Sequence, residues 1–311
     1  MAVMRLQTTQ RTAAKKFRWD LVATHLIMIV GGAAMAFPLI YGLAASLCTP
    51  AAYTRSGWFP TPTSFYLGNY ARLIALTGGT GQIPLWIGNT LLRILWYIVI
   101  PGIVAVLGGY VFTRLRFKGR DTVFMILLSS MMVPPIVYFI PTYIMLARWP
   151  LTGDNDIMGQ GGHGFVNGWP ALLLGALVNA YYIFLMRQTY QTIPGEFEEA
   201  ARVDGASTLQ VLRHVYLPML KPALVVIVIF QSVAMWNDYI WPLIAVSGNP
   251  GVWPIALGAQ QVINSLTQSG QATNYPLAFT VATLVTIPII ILFLLLQRYF
   301  VEGVQGFGLK G

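Results

Sequence analysis

The sequence alternates between long apolar windows and shorter polar segments. Six windows reach the length of about 20 mostly apolar residues that a helix needs to cross the hydrocarbon core of a bilayer. They span residues 20–47, 84–112, 121–147, 168–188, 217–246 and 276–300. Proline, glycine, aspartate and asparagine collect between several of them, as is typical of loops. The pattern therefore predicts an all-α membrane protein with six transmembrane helices.

The composition agrees with this fold class. Hydrophobic residues make up 56% of the 311 residues and charged residues only 9%, whereas a soluble chain has roughly 25% charged residues. The net charge of +9 would suggest a nucleic-acid partner in a soluble protein. In a membrane protein such an excess is expected in the loops that orient the spans. We therefore predict contact with membrane lipid and no nucleic-acid partner.

The basic residues predict the orientation of the chain. Fifteen of the 19 lysines and arginines lie in the first 18 residues, in 113–120, in 187–221 and after residue 297. Because basic loops are retained in the cytoplasm, we expect both termini and the loop 189–217 on that side. The predicted organisation is a cytoplasmic tail at 1–19, a transmembrane domain at 20–300 and a cytoplasmic tail at 301–311.

The N-terminus has the order of a secretory signal peptide, with basic residues before an apolar run. The apolar part of a signal peptide is only about 7–15 residues long, and this run extends from Leu21 to Leu47. We therefore expect an uncleaved first span.

A polar, charge-rich segment at residues 196–218, which we call the elbow, separates two apolar windows. Thr192 is expected to cap its first helix, and the glutamates that follow complement the positive end of the helix dipole. Glu198 and Arg202 are four residues apart, a spacing that allows a salt bridge on a helix. Gly205 permits the left-handed turn that commonly ends a helix.

A second helix of the elbow is predicted to begin at Ser207, because Gln210 follows three residues later as in a capping box. Leu209, Leu212 and Tyr216 are expected to form its apolar stripe. Pro218 is then expected to end the elbow before the next span.

Two roles for the elbow follow from its residues. The small pair Ala200-Ala201 lets another surface approach closely, and Glu199 offers a carboxylate to an arginine or lysine of a partner. The alternative is an amphipathic connector that lies on the bilayer without a protein partner. Residue chemistry alone leaves both roles open.

The spacing of the elbow resembles the signature loop of the membrane subunits of binding-protein-dependent ABC importers. Glu199-Ala200-Ala201 is followed after three residues by Gly205, and after nine more by Val215-Tyr216-Leu217-Pro218. The family usually has isoleucine at the position of Val215. The segment from Trp236 to Leu243 and the ending from Gln297 to Gly311 resemble carbohydrate importer permeases of the MalG-like type. Together these resemblances cover roughly residues 85–311.

This resemblance implies a type I ABC importer permease fold with a cytoplasmic coupling helix. The residues implied to couple to the ATPase are Glu199, Ala200, Ala201, Asp204, Gly205, Leu217 and Pro218. The implied partners are a second, related but different permease chain, two ATP-binding subunits, an extracytoplasmic solute-binding protein and a carbohydrate substrate. The implied location is a bacterial or archaeal plasma membrane.

Ionisable side chains within a span are costly and tend to face a cavity. Asp238 and Arg93 are such residues, and Asp238 lies among aromatic and amide groups that suit a sugar. The predicted substrate path therefore comprises Trp236, Asn237, Asp238, Tyr239, Asn179 and Tyr182. An alternative is that Asp238 and Asn237 form hydrogen bonds between helices. For Arg93, we favour pairing with a neighbouring helix over contact with the solute.

The motifs of an enzyme do not occur in the sequence. A phosphate-binding G-x-x-x-x-G-K-[ST] motif is missing, and His25, His163 and His214 lack the spacing of metal ligands. We therefore predict a transport subunit without its own ATPase site, cofactor or metal. The alternatives are a related importer for polyamine or phosphate, a membrane-embedded enzyme and a channel.

Overall fold

A computed structural model describes residues 19–63, 65–77, 82–175, 177–268 and 274–308, with side chains described for residues 21–63, 65–77, 82–175, 177–266 and 274–295. The described residues form helices and connecting loops, without a β-strand among them. The helices of the first half are α1 (Trp19–Ser46), α2 (Pro50–Arg55), α3 (Gly68–Leu76), α4 (Gln82–Arg114), α5 (Arg120–Ser129), α6 (Pro135–Ala147) and α7 (Trp169–Leu174). Those of the second half are α8 (Ala180–Thr192), α9 (Glu196–Val203), α10 (Thr208–Val211), α11 (Leu217–Met219), α12 (Lys221–Asn237), α13 (Ile240–Val246), α14 (Ile255–Gln268) and α15 (Tyr275–Gly308). The prediction of an all-α protein is confirmed.

Three of the six apolar windows form single helices long and apolar enough to cross a membrane. These stretches are Leu21–Ser46 of α1, Gln82–Arg114 of α4 and Tyr275–Leu295 of α15. Helix α15 continues to Gly308, so the predicted boundary between the transmembrane domain and the C-terminal tail at residue 300 lies inside a helix.

The expectation of a single helix is wrong in the windows 121–147 and 217–246. In the first, the helices on either side of Pro134 meet at an angle of 100°. Consecutive prolines at 134 and 135 explain this break, because each disfavours helical backbone in the residue before it. In the second window, the chain bends by 75° at Leu220 and leaves the helical conformation again at Asp238, where ψ is 109°. If each bent pair of helices is one span, the structure has up to five candidate spans among the described residues.

The window 168–188 is also divided, between α7 and α8. A break of this kind leaves the carbonyl groups at the end of α7 without helical partners. Three side chains from α4 and α13 supply the missing donors at 2.9–3.0 Å: Tyr97 to Leu172, Trp96 to Leu173 and Trp241 to Ala171. The short helix is therefore stabilised by the bundle around it, which sequence windows do not reveal.

Helix α4 lies at the centre of the packing. It contacts α8 and α12, while α15 contacts α12 and α1. Gly109 allows the close approach of α4 to α8, because a Cβ added at Gly109 would lie 2.6 Å from the Cβ of Met186. The largest buried cluster joins these elements and includes Ala105, Tyr110, Ile183, Met186, Tyr190, Val211, Tyr216, Leu220 and Ile227.

Two loops expected on the outer side are held together by asparagine side chains. In the predicted loop 151–168, Asn155 donates to the carbonyl groups of Ala147 and Trp149. Asn167 accepts from the backbone of Gly248 at 3.1 Å, which fixes this loop to the one after α13. The second region, residues 247–275, contains a helix: α14 occupies 255–268 and buries Ile255 and Leu257.

Candidate functional site

The elbow has the helix–glycine–helix geometry that the sequence predicts. Helix α9 ends at Val203, and Gly205 follows with φ at +83°. The amide of Gly205 donates to Arg202 at 3.0 Å and the amide of Ala206 donates to Ala201 at 2.9 Å. These two bonds form a Schellman motif, which satisfies the last carbonyl groups of the helix. The left-handed turn at Gly205 is thus confirmed.

The beginning of α9 differs from the prediction. Gly195, not Thr192, occupies the N-cap position, and no side chain caps the helix. The hydroxyl of Thr192 instead donates to the carbonyl of Thr189 at the end of α8. Pro194 explains this, because the residue before a proline favours extended backbone and Ile193 has a ψ of 123°. The predicted acidic first turn of α9 is confirmed.

The capping box at the start of α10 is confirmed. Ser207 and Gln210 form both of its reciprocal hydrogen bonds. Beyond Val211 the chain winds as a π-helix from Leu212 to Tyr216. Tyr216 is buried as predicted, but Leu209 is 74% exposed, so the predicted stripe is wrong at that residue. The wider π turn changes the phase of the helix, and Val211 is buried instead.

A network of hydrogen bonds surrounds the carboxylate of Glu198. Its Oε1 accepts from the hydroxyl of Tyr110 at 2.9 Å and from Arg202 at 2.7 Å, which confirms the predicted pair of Glu198 and Arg202. Its Oε2 accepts from the hydroxyl of Tyr216 at 2.6 Å. The Glu198 side chain is only 12% exposed. Tyr110 could not be predicted as a partner of Glu198, because the two residues are 88 positions apart in the chain.

The charge of Glu198 is stabilised by these donors. Burial alone raises the pKa of a carboxyl group, but the hydrogen bonds from Tyr216, Arg202 and Tyr110 outweigh burial and lower the pKa of Glu198. The carboxylate therefore stays ionised at neutral pH although it lies on the largely buried inner side of the elbow.

Three tyrosine rings pack below Glu198. Tyr190 and Tyr216 meet edge to face with centroids 4.9 Å apart, and Tyr110 contacts both rings at about 6 Å. Arg114 lies over the ring of Tyr216 at 5.4 Å and donates to the carbonyl of Ile193 at 2.6 Å. The cluster joins the end of α4, the end of α8 and the π-helix into one packed unit.

The residues implied to couple to an ATPase divide between two environments. Glu199, Ala200, Asp204 and Gly205 are exposed on the outer surface of the elbow. Ala201 is half-buried and packs against the cluster below. Leu217 and Pro218 are also exposed, but they lie beyond the π-helix, at the start of α11.

A cavity of about 660 Å³ opens between α4, α6, α8 and α12. Residues at the breaks of the three divided windows all contribute to its wall: Pro135 in the first, Gly175 and Asn179 in the second, and Asp238 in the third. Its lining combines polar, aromatic and aliphatic residues: Arg93, Tyr97, Pro101, Pro135, Tyr138, Phe139, Thr142, Gly175, Val178, Asn179, Tyr182, Gln231, Ala234, Met235, Asp238 and Trp241. Non-helical backbone within a membrane protein is tolerated where it is buried or lines such a cavity.

An ion pair lies in this wall. A terminal nitrogen of Arg93 on α4 donates to Oδ2 of Asp238 at 2.7 Å, with side-chain exposures of 1% and 19%. The preferred interpretation of Arg93, pairing with a neighbouring helix, is confirmed. The other two nitrogens of Arg93 are buried without a hydrogen-bond partner among the described residues.

The structure brings only part of the predicted substrate path together. Asp238, Asn179 and Tyr182 line the cavity, and Tyr182 donates to Gln231 at 2.6 Å. The remaining three residues have other partners: Trp236 donates to the carbonyl of Val285, Asn237 donates to Val233 in its own helix, and Tyr239 packs against the cluster that contains Trp241. Gln231 and Thr142 also line the cavity, but they are absent from the substrate path predicted from the sequence. Each is a polar residue within an apolar run, and this pattern could have indicated them.

Within the described ranges, no three His, Cys, Asp or Glu side chains gather as a metal site would require. Cys48 is a buried free cysteine.

The sequence of this chain is similar to a known protein family and to individual transport proteins. The family model described as "Binding-protein-dependent transport system inner membrane component" matches residues 103–306. The sn-glycerol-3-phosphate transport system permease protein UgpE of Brucella suis is 29% identical, over 90% of this chain and 94% of its own length. The arabinooligosaccharides transport system permease protein AraQ of Halalkalibacterium halodurans is 27% identical, over 88% and 91%.

The fold is also found in a solved structure. A chain from the crystal structure of a bacterial ABC transporter involved in the import of the acidic polysaccharide alginate superposes with a TM-score of 0.76. It is 23% identical and covers 92% of this chain and 98% of its own. At this identity the likeness establishes the shared fold.

Proposed function

Since this chain belongs to the family of binding-protein-dependent transport system inner membrane components, we propose that it is the permease subunit of an ATP-driven importer of sugars or related carbohydrates. The fold agrees with a type I ABC importer permease. The proposal includes a second, related permease chain, two ATP-binding subunits that supply the hydrolysis, and an extracytoplasmic solute-binding protein.

The observation that carries the proposal is the geometry of the elbow. Its outer surface presents a carboxylate and a small residue, Glu199 and Ala200, beside two exposed apolar side chains, Val203 and Leu209. Its inner surface is fixed to the bundle through Glu198. A segment exposed on one side and anchored on the other suits transmission of force from a docked subunit. A connector resting on the bilayer would not need the exposed acidic first turn.

The orientation in the proposal follows the positive-inside rule. We place both termini and the elbow in the cytoplasm of a bacterial or archaeal cell, in contact with the ATPase subunits. The break-lined cavity is then the part of this chain that contributes to the solute path.

A carbohydrate fits the cavity chemistry. Aromatic rings contact the C–H faces of a sugar, while Asp238, Asn179 and Gln231 offer acceptors and donors to its hydroxyl groups. The relative named for arabinooligosaccharides supports this class of solute. A phosphorylated polyol is a second candidate, because the relatives named for sn-glycerol-3-phosphate are equally similar to this chain.

Co-purification with the ATPase subunits tests the proposal. The chain is expressed with its candidate partner permease and ATPase, and the amount of ATPase retained on the purified complex is measured. We expect Glu199→Lys to insert normally and to lose most of the retained ATPase, because it reverses a charge on the docking surface.

Glu196→Lys is the matched control, since Glu196 is exposed in the same first turn of α9 but lies outside the motif. It is expected to retain far more ATPase. A wild-type chain that binds no ATPase, or equal retention by both variants and the wild type, would contradict the proposed docking.

A further inference from the structure

The carboxylate of Glu198 occupies the point where α9 meets α4, which bears Arg93 of the cavity's ion pair, and the π-helix Leu212–Tyr216, which leads through α11 into α12. We propose that Glu198 is a positioning residue that clamps α9 to α4 and to the π-helix that leads into α12, so that displacement of α9 opens or closes the cavity. This inference rests on the proposed function, because it assumes that an ATPase moves the elbow. We call Glu198, Tyr110 and Tyr216 the clamp.

The two oxygens of Glu198 hold different elements. Oε1 accepts from Tyr110, which belongs to α4, and Oε2 accepts from Tyr216, the last residue of the π-helix that leads through α11 into α12. One carboxylate on α9 therefore connects the ends of two helices that lie 106 positions apart in the chain, at Tyr110 and Tyr216.

Helix α4 and the continuation of the π-helix, α12, meet again in the wall of the cavity. Helix α4 contains Arg93, 17 residues before Tyr110, which is about 25 Å along a helix. Helix α12 ends at Asn237, next to Asp238. The clamp joins α4 to the π-helix, the Arg93–Asp238 pair joins α4 to the end of α12, and the continuous helix α4 runs between these two contacts.

An ionised carboxylate is well suited to this task. Hydrogen bonds to a charged acceptor are shorter and stronger than neutral ones, and both oxygens of Glu198 are acceptors. Glutamine at this position would have one oxygen and one donor group, so one of the two tyrosine hydroxyls would lose its acceptor. Water does not replace this loss readily, because the side chain is largely buried.

The neighbouring structure supports a moving joint at this position. The π-helix from Leu212 to Tyr216 is a geometry that occurs frequently at functional sites. The chain bends by 75° at Leu220, between this segment and α12. Movement of α9 therefore acts on α12 through a short bent segment and on α4 directly.

The test measures how accessible the cavity is to a thiol reagent in different nucleotide states of the ATPase. In the complete complex with partner permease and ATPase, Cys48 is replaced by serine and a probe is introduced by Thr142→Cys in the cavity wall. The rate of maleimide labelling is measured without nucleotide and with ATP and vanadate. In this background we expect nucleotide to change the rate, and Glu198→Gln to reduce that change roughly tenfold, as the loss of charge-assisted bonds predicts.

Glu196→Gln is the matched control for charge and helix position, and it is expected to preserve the full change. Tyr110→Phe and Tyr216→Phe remove only a hydroxyl and keep the rings in place, so they test the clamp without disturbing the packing. Each is expected to give a partial loss, and Tyr110→Phe is expected to add little when combined with Glu198→Gln, because both act through the same bond.

The outcomes separate the two proposals. A nucleotide-dependent change of wild-type size in Glu198→Gln overturns the clamp, as does a full change in both tyrosine variants. If nucleotide does not change the labelling rate in the protein that retains Glu198, or if this protein binds no ATPase, the proposed function is overturned instead. If Glu198→Gln fails to assemble, the tyrosine variants decide.

Discussion

At the scale of single residues, the two sites depend on charges that find partners far away in the chain. Arg93 is 1% exposed and its charge is matched by Asp238, 145 residues further on. A buried charge of this kind is costly unless it is paired. Two nitrogens of Arg93 have no hydrogen-bond partner among the described residues, and the guanidinium lies over the ring of Tyr97 at 6.0 Å, so Asp238 supplies the neutralising charge.

Removing one partner of this pair is therefore expected to destabilise the bundle. We expect Asp238→Ala to lower the free energy of unfolding in detergent by about 3–5 kcal/mol, since it leaves the Arg93 charge buried and unpaired. Asn237→Ala is the control, because Asn237 is exposed and bonds only within its own helix. The double change Arg93→Met and Asp238→Leu is expected to recover most of the loss. Equal stability of Asp238→Ala and the wild type would show that the pair contributes nothing to folding.

At the scale of helices, local chemistry determines how the elbow begins and ends. The capping box at Ser207 and the left-handed Gly205 both arise from neighbouring residues, so the sequence predicts them. The same is true of Pro194, which delays the start of α9 to Glu196 and displaces the expected cap. The breaks at Pro134 and Asp238 shape the cavity, but only the first of them has a clear local signal.

The turn at Gly205 allows a direct test of this local control. A Cβ at Gly205 would meet no atom within 4 Å, so Gly205→Ala introduces strain without a clash. Left-handed backbone costs a non-glycine residue about 1–2 kcal/mol, and we expect amide hydrogen exchange in α9 to accelerate accordingly. Gly88→Ala also has open space around its Cβ but lies inside α4, where alanine is favoured, and it should leave the exchange of α9 unchanged. Slow exchange in both variants would mean that the turn does not stabilise α9.

At the scale of the whole molecule, the proposed mechanism requires the elbow and the loop 148–167 to lie on opposite sides of the membrane. Charge distribution predicts this arrangement, because the elbow region is basic and the other loop has few basic residues.

Labelling with a membrane-impermeant thiol reagent measures the orientation. Cys48 is fully buried, and its replacement by serine leaves a cysteine-free background. Leu209→Cys and Met158→Cys are well matched, because the two native side chains are 74% and 75% exposed. We expect Met158→Cys to be labelled in intact cells and Leu209→Cys only in inside-out vesicles. The reverse pattern would remove the elbow from the ATPase and refute the proposed function.

The sequence alone predicts the features that depend on neighbouring residues: the apolar windows, the acidic first turn of α9, the capping box and the glycine turn. It also contained the pair of Glu198 and Arg202, whose members lie one helical turn apart. The folded structure was needed to show that Tyr110 and Tyr216 share the carboxylate of Glu198, that Arg93 meets Asp238, and that three divided windows converge on one cavity. These contacts join residues far apart in the chain, and they form because packed helices bring particular turns together, which no local preference specifies.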